Sequence, residues 1–305
     1  MTTARTILVA TDLSAPARHA VQRALLLASL AGSDVHIVHA LELDTLDSLR
    51  EMLGANLSST KAALEADARE RLARLATDAA DRHGIAAQTR VAAGAPLAVI
   101  AREADALDAG LLVLGARGES FLRHAMLGST ATRLLHKSVR RPVLVVKQPP
   151  REDYRNVLVA VDFSPASRLA IREAMRWALG AELVLLHAFE LPYEGKLTYA
   201  GVDERIIRQY ITAGIETRRE RLHELAASAG LAPGSYLARV IHGDPSQQIV
   251  AMEQEYDADL IVVGKHGTHV AEEMLLGSVT KHVLAEAQGD VLVVADTRPA
   301  DDRLP

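Results

Sequence analysis

Short apolar runs recur along the chain near 6–10, 35–40, 86–91, 110–115 and 143–147, and again near 156–161, 182–188, 235–241, 260–264 and 291–295. Between them, apolar positions follow a helical period. Ala20, Val21, Ala24, Leu25 and Ala28 make one apolar stripe, with Ser14 placed to cap that helix and Pro16 near its start. A longer helix carries Leu64, Ala68, Leu72 and Leu75, and Gly84 sits where a C-terminal glycine would stop it. Strands alternating with helices predict a parallel sheet with right-handed crossovers. Each half is expected to be a five-stranded doubly wound α/β domain, whose ligand site lies beyond the C-terminal strand ends at the switch in strand order. Residues 190–203, with Pro192, Tyr193, Gly195, Tyr199 and Gly201, read as a long loop, either a lid over the second crevice or plain surface.

The two halves align at an offset of about 150 residues. Ile7-Leu-Val-Ala-Thr-Asp12-Leu-Ser14 matches Val157-Leu-Val-Ala-Val-Asp162-Phe-Ser164, Gly94-Ala-Pro96 matches Gly243-Asp-Pro245, and Pro142-Val-Leu-Val-Val146 matches Asp290-Val-Leu-Val-Val294. A period this long means a duplicated domain, so domains are expected at 1–150 and 151–305. The proline-bearing, charged stretch Gln148–Asp153 would connect them.

Composition narrows the function. Hydrophobic residues make up 49% and charged residues 24%, an ordinary globular balance, while aromatics are only 3%, too few for base-stacking platforms. The net charge of −5 argues against a nucleic-acid backbone as partner. The absence of cysteine excludes disulfides, thiolate catalysis and zinc–thiolate sites. No apolar run reaches membrane-spanning length, and Met1–Arg5 leads straight into an apolar strand without a signal-peptide pattern; a cytoplasmic location is expected.

One spaced glycine pattern occurs in both halves. Gly115-Ala-Arg-Gly118 is followed after nine residues by Gly128-Ser129, and Gly264-Lys-His-Gly267 after nine residues by Gly277-Ser278. Each copy leaves an apolar strand and enters a helical pattern, an arrangement suited to phosphate. Asp12 and Asp162 follow the first strand of each half, which should neighbour the fourth strand at the switch point. Each crevice would thus combine close backbone approach at glycines, hydroxyl donors at Ser129-Thr130 or Ser278, and a carboxylate able to accept from a ribose hydroxyl or help hold a metal. A tight turn and a simple helix cap are the plain alternatives for each element alone. His36 and His39 fall on opposite faces of one strand, so a shared metal is not expected, and His187 matches His39 in a structural position.

These residues resemble the universal stress protein family in its tandem form, over nearly the whole chain. The family's ATP-binding signature is Gly, two residues, Gly, nine residues, Gly, then Ser or Thr. The resemblance implies Asp12 and Asp162 beside the nucleoside, and backbone at Ala40 and Ala188 at adenine. Leu114 and Val263 would precede the phosphate loops. Gly115, Gly118, Gly128, Ser129 and Thr130 would cradle ribose and phosphates in the first domain, and Gly264, Gly267, Gly277, Ser278 and Val279 in the second. It implies ATP or ADP with Mg2+ as ligand, pairing of the two domains through their last strands, and a homodimer. The two loops differ. The first holds Arg117, Arg123 and His124 with one acid, Glu119; the second holds Lys265, His266 and His269 but also Glu272 and Glu273. Basic character favours the first site and closeness to the family pattern the second. There is no Walker lysine motif, so at most slow ATP hydrolysis is expected. An adenylate-transferring or adenylate-hydrolysing enzyme of related fold, and a nucleotide-independent scaffold, are the alternatives.

Overall fold

The structure, a computed structural model, describes residues 5–42, 57–116, 128–136, 141–192, 194–266 and 276–295. The chain divides into two compact units, Met1–Asp153 and Tyr154–Pro305.

Unit 1 runs β1 (Ile7–Ala10), α1 (Ala15–Ala31), β2 (Val35–Leu41), α2 (Leu57–His83), β3 (Ala87–Ala93), α3 (Pro96–Ala106), β4 (Leu111–Gly115), α4 (Ser129–His136) and β5 (Val143–Val146). Unit 2 runs β6 (Asn156–Ala160), α5 (Pro165–Trp177), β7 (Glu182–Phe189), α6 (Glu194–Tyr199), α7 (Glu204–Ala229), β8 (Tyr236–His242), α8 (Pro245–Glu255), β9 (Leu260–Gly264), α9 (Ser278–Glu286) and β10 (Asp290–Val294). The expected loop over 190–203 therefore contains a short helix, α6, and ends at the Asp203 cap of α7.

Within unit 1 the strands follow the order β3-β2-β1-β4-β5, all parallel, and within unit 2 the order β8-β7-β6-β9-β10, also parallel. The chain winds one way to β3, then crosses back to β4, so the switch point lies between β1 and β4. Right-handed crossovers then put α1 and α2 on one face of the sheet and α3 and α4 on the other. α1 packs against α2, and α3 against α4. Strands covered on both faces must be apolar throughout, and Val9, Ile37, Val113 and Val145 are fully buried, as are Val159, Leu185 and Val262.

Local chemistry fixes the helix ends. The Ser14 and Ser164 side chains accept from Ala17 N and Ser167 N, with proline in the first turn of each helix. Gly84 ends α2 with φ +68°, a left-handed conformation that a side chain would oppose. The connection Gln148–Asp153 has no helix or strand and is largely exposed.

Candidate functional site

The site begins at the paired ends of the first and fourth strands. Ala10 registers with Leu114 across β1 and β4, which brings Asp12 beside Gly115. In unit 2, Val159 registers with Val262, which brings Asp162 beside Gly264. A tight turn follows each aspartate. Leu13 and Phe163 take left-handed backbone (φ 65° and 64°), and the Ser14 and Ser164 amides each donate to the preceding aspartate at 3.0 Å. A non-glycine residue in that region carries strain of about 1 kcal/mol or more. The same strain at the same place in both units marks these turns as built features.

The glycine loops close in the same way in both units. The Ala116 amide donates to Val146 O at 2.8 Å, and the Gly128 amide donates back to Ala116 O at 2.7 Å. In unit 2, Lys265 N reaches Val294 O at 2.7 Å and Gly277 N reaches Lys265 O at 3.0 Å. The end of the loop is thereby stitched to its beginning, and the helix that follows starts at the sheet edge. No side chain caps α9 at Gly277. Its first-turn amides have no intrahelical acceptor, and that end of the helix carries partial positive charge. A Cβ at Gly277 would lie 3.3 Å from Lys265 O, and one at Gly264 would lie 3.3 Å from Ala166 Cβ and His266 O. Both positions are therefore close-packed.

In unit 2 these pieces surround a cavity of about 300 Å³. Asp162, Ala188, Val263, Gly264, Gly277, Ser278 and Val279, all expected contacts, line it together. Seven further residues also line it: Ala160 and Val161 at the end of β6, Leu186 on β7, Pro245 and Ile249 on α8, His266, and Thr280 on α9. Pro245 stands in the Gly-x-Pro element that the repeat picks out, so a signal existed for it. Thr280 hydroxyl donates to Gly264 O at 2.7 Å and ties the strand end to α9. Gly118 and Gly267 lie outside the described residues, as do Arg117, Glu119, Arg123, His124, His269, Glu272, Glu273 and Tyr193. In unit 1, Asp12, Ala40, Leu114, Gly115, Gly128, Ser129 and Thr130 occupy the corresponding places on β1, β2, β4 and α4.

The two aspartates are not equivalent. Asp162 also accepts from Ser167 hydroxyl at 2.7 Å, while its amide donates to the same oxygen at 2.9 Å. Ala17 stands at that position in unit 1. Behind each site a histidine closes the strand end. His39 Nδ1 is 2.9 Å from Thr11 O, and His187 Nδ1 is 2.8 Å from Val161 O. Burial holds the His187 pKa below the usual imidazole range, and the nearby Arg218 and Arg221 push the same way against the Val161 bond and Asp162. Among the described residues, no group of three or more His, Cys, Asp or Glu is placed to hold a metal ion. No helix among the described residues is long and apolar enough to cross a membrane.

This is a tandem α/β protein whose switch points carry matching strand ends and helix starts, with a cavity at the one in unit 2. Residues 3–147 and 153–295 each match the universal stress protein family. The chain belongs to that family. A universal stress protein of Mycolicibacterium smegmatis is 28% identical over 301 residues, covering 94% of this chain and 96% of that one. One from Mycobacterium tuberculosis is 32% identical over 199 residues, covering 61% of this chain and 62% of the relative. In structure, a universal stress protein from Archaeoglobus fulgidus aligns over 96% of this chain and 99% of its own, with TM-score 0.66 and 23% identity, a likeness of fold.

Proposed function

We propose that this chain is a nucleotide-dependent regulator or sensor in the stress response, binding ATP or ADP with Mg2+ at its switch-point crevices. The observation that carries this is the unit 2 cavity, where a carboxylate, a glycine loop and an uncapped helix N-terminus converge. Its volume of about 300 Å³ lies at the lower end of small-molecule sites. In this reading the α9 amides and Ser278 meet phosphate, Asp162 accepts from the ribose, and the wall of Ala188, Ile249 and Val263 covers the base. Mg2+ supplies charge neutralisation on the phosphates. The protein is read as a cytoplasmic homodimer whose two units pair through β5 and β10.

Turnover is slow at most. Asp162 is the carboxylate among the described lining residues, and bonds from Ser164 and Ser167 already occupy one of its oxygens. That geometry holds a ligand rather than activating water. Mass spectrometry of ligand released by heat from purified protein tests binding, with isothermal titration of ATP–Mg2+ alongside. The expectation is a copurified adenine nucleotide and saturable binding that Gly277→Val reduces. Protein that carries none, and shows no ATP heat while folded, would leave the scaffold alternative standing.

A further inference from the structure

Unit 1 has a recess on the sheet face covered by α1 and α2. It opens between α1 and α2 and has a volume of about 530 Å³. Its floor is apolar, formed by Leu13, Val21 and Leu75. Arginines stand along its rim: Arg18 from α1, and Arg71, Arg74 and Arg82 from α2. The side chains of Arg18 and Arg82 make no ion pair or hydrogen bond among the described residues. Arg71 pairs with Asp67 at 3.7 Å and Arg74 pairs with Glu70, both exposed. Exposed pairs of this kind hold weakly and exchange readily for a stronger anion.

At the corresponding place in unit 2 the side chains contact the unit's own groups. Phe163 replaces Leu13, and Arg221, at the position of Arg71, lies over its ring at 4.3 Å. Arg172, at the position of Gln22, donates to Ser228 O at 3.2 Å, and Ser228 stands where unit 1 has Asp78. In unit 1 Leu13 stands in place of the ring, and α2 adds Arg74 and Arg82 to the recess. An arginine cluster over an apolar floor fits a compact anion attached to a less polar body. The guanidinium fork suits phosphate oxygens in particular. Asp67, Asp78 and Gln22 also line the wall; Asp67 is paired with Arg71, and Asp78 and Gln22 are matched to hydroxyl groups rather than to further negative charge.

We propose that this groove binds a small phosphate-bearing molecule, with Arg18 and Arg82 on the phosphate and Leu13, Val21 and Leu75 beneath the rest. The site is separate from the crevice assigned to nucleotide: α1 and α2 cover one face of the sheet, α3 and α4 the other. Its test does not depend on the nucleotide reading.

Methyl NMR of the full chain, titrated with inorganic pyrophosphate, reads each site by its own probes. Saturable shifts are expected at Leu13, Val21 and Leu75. In the double variant Arg18→Gln, Arg82→Gln the midpoint at those methyls should rise by about tenfold or more, since each lost charge-assisted contact is worth on the order of a tenfold change. Unchanged Val9 and Ile37 signals would certify the fold. The proposal is overturned if the three methyls stay still at millimolar pyrophosphate. It is equally overturned if the midpoint is the same in the double variant, which would mean that the shifts are relayed from elsewhere.

Discussion

His187 sits between the rings of Phe163 and Phe189, with Arg218 over Phe189 at 3.9 Å and Arg221 over Phe163 at 4.3 Å. The Val161 carbonyl can only accept, so the neutral ring carries its proton on Nδ1. The pKa of His187 is lowered in the fold, chiefly by burial. The unfolded chain therefore takes up a proton near pH 6.5 while the folded one resists. Stability is full above that pH and falls as pH drops through it toward the folded value. Denaturant unfolding followed through Trp177 fluorescence should show this loss between pH 7.5 and 5, and His187→Gln should flatten it; an identical pH slope in the variant would exclude His187 as the source. Ser167 is the second residue to test. The residue is 2% exposed and its hydroxyl bridges the amide and carboxylate of Asp162, so Ser167→Ala should cost about 1–2 kcal/mol in unit 2. The aspartates were legible from sequence because both halves carry them after the first strand. Ser167 was not, because only one half has it, five positions away across a turn of left-handed backbone.

At the scale of elements, all ten strands fall within two residues of the spans expected from apolar runs. The inner parallel strands, buried on both faces, have to be written as continuous apolar runs and so announce themselves, whereas the outer β3 and β8 are partly exposed and carry polar residues. The helix Glu194–Tyr199 did not. Pro192, Gly195 and Gly201 around it are turn residues, and what holds its start is distant, a 2.7 Å contact from Glu194 to His242 at the end of β8. Tertiary contacts of this kind leave no local periodicity to read. Glu253 supplies another. Buried on α8, it accepts from the amides of Gln288 at 2.8 Å and Gly289 at 2.6 Å, fixing the turn into β10. Glu253→Ala leaves two amides without that acceptor and should cost roughly 2–3 kcal/mol, more than a surface change of the same helix. Gly289 itself admits no side chain, for a Cβ would lie 2.9 Å from Ala258 O and 3.0 Å from Asp259 O. Gly289→Ala should therefore lower the unfolding midpoint without touching the cavity residues, a separation that urea titration and ATP calorimetry can read together.

For the molecule as a whole, the hydrogen bonds of the last strands bear on the proposed pairing. Pro142 O and Val146 O accept from β4 and its extension, so the intervening Val143 and Val145 amides point away from β4. Val294 O accepts from Lys265 and Asp290 N donates to Asp259, so Val291 and Val293 point away from β9 in the same sense. Proline at Val145 and Val293 thus removes outward amides while sparing the bonds within each unit. The double variant should keep both units folded and become sensitive to protease at 148–153; resistance equal to that of the parent chain would count against the pairing. Steady-state phosphate release should stay far below roughly 10 per second, the median for enzymes, and a rate at that scale would favour the enzymatic alternative.

The exposed stretch Gln148–Asp153 has a further consequence. A tether this short makes every encounter of one half with the other intramolecular, at an effective concentration of about millimolar. An edge-to-edge affinity far too weak to join two free halves at cellular dilution would be nearly saturated in the covalent chain. Under the proposed pairing, cutting at the tether would make the association of the halves reversible, governed by how much of the protein is present.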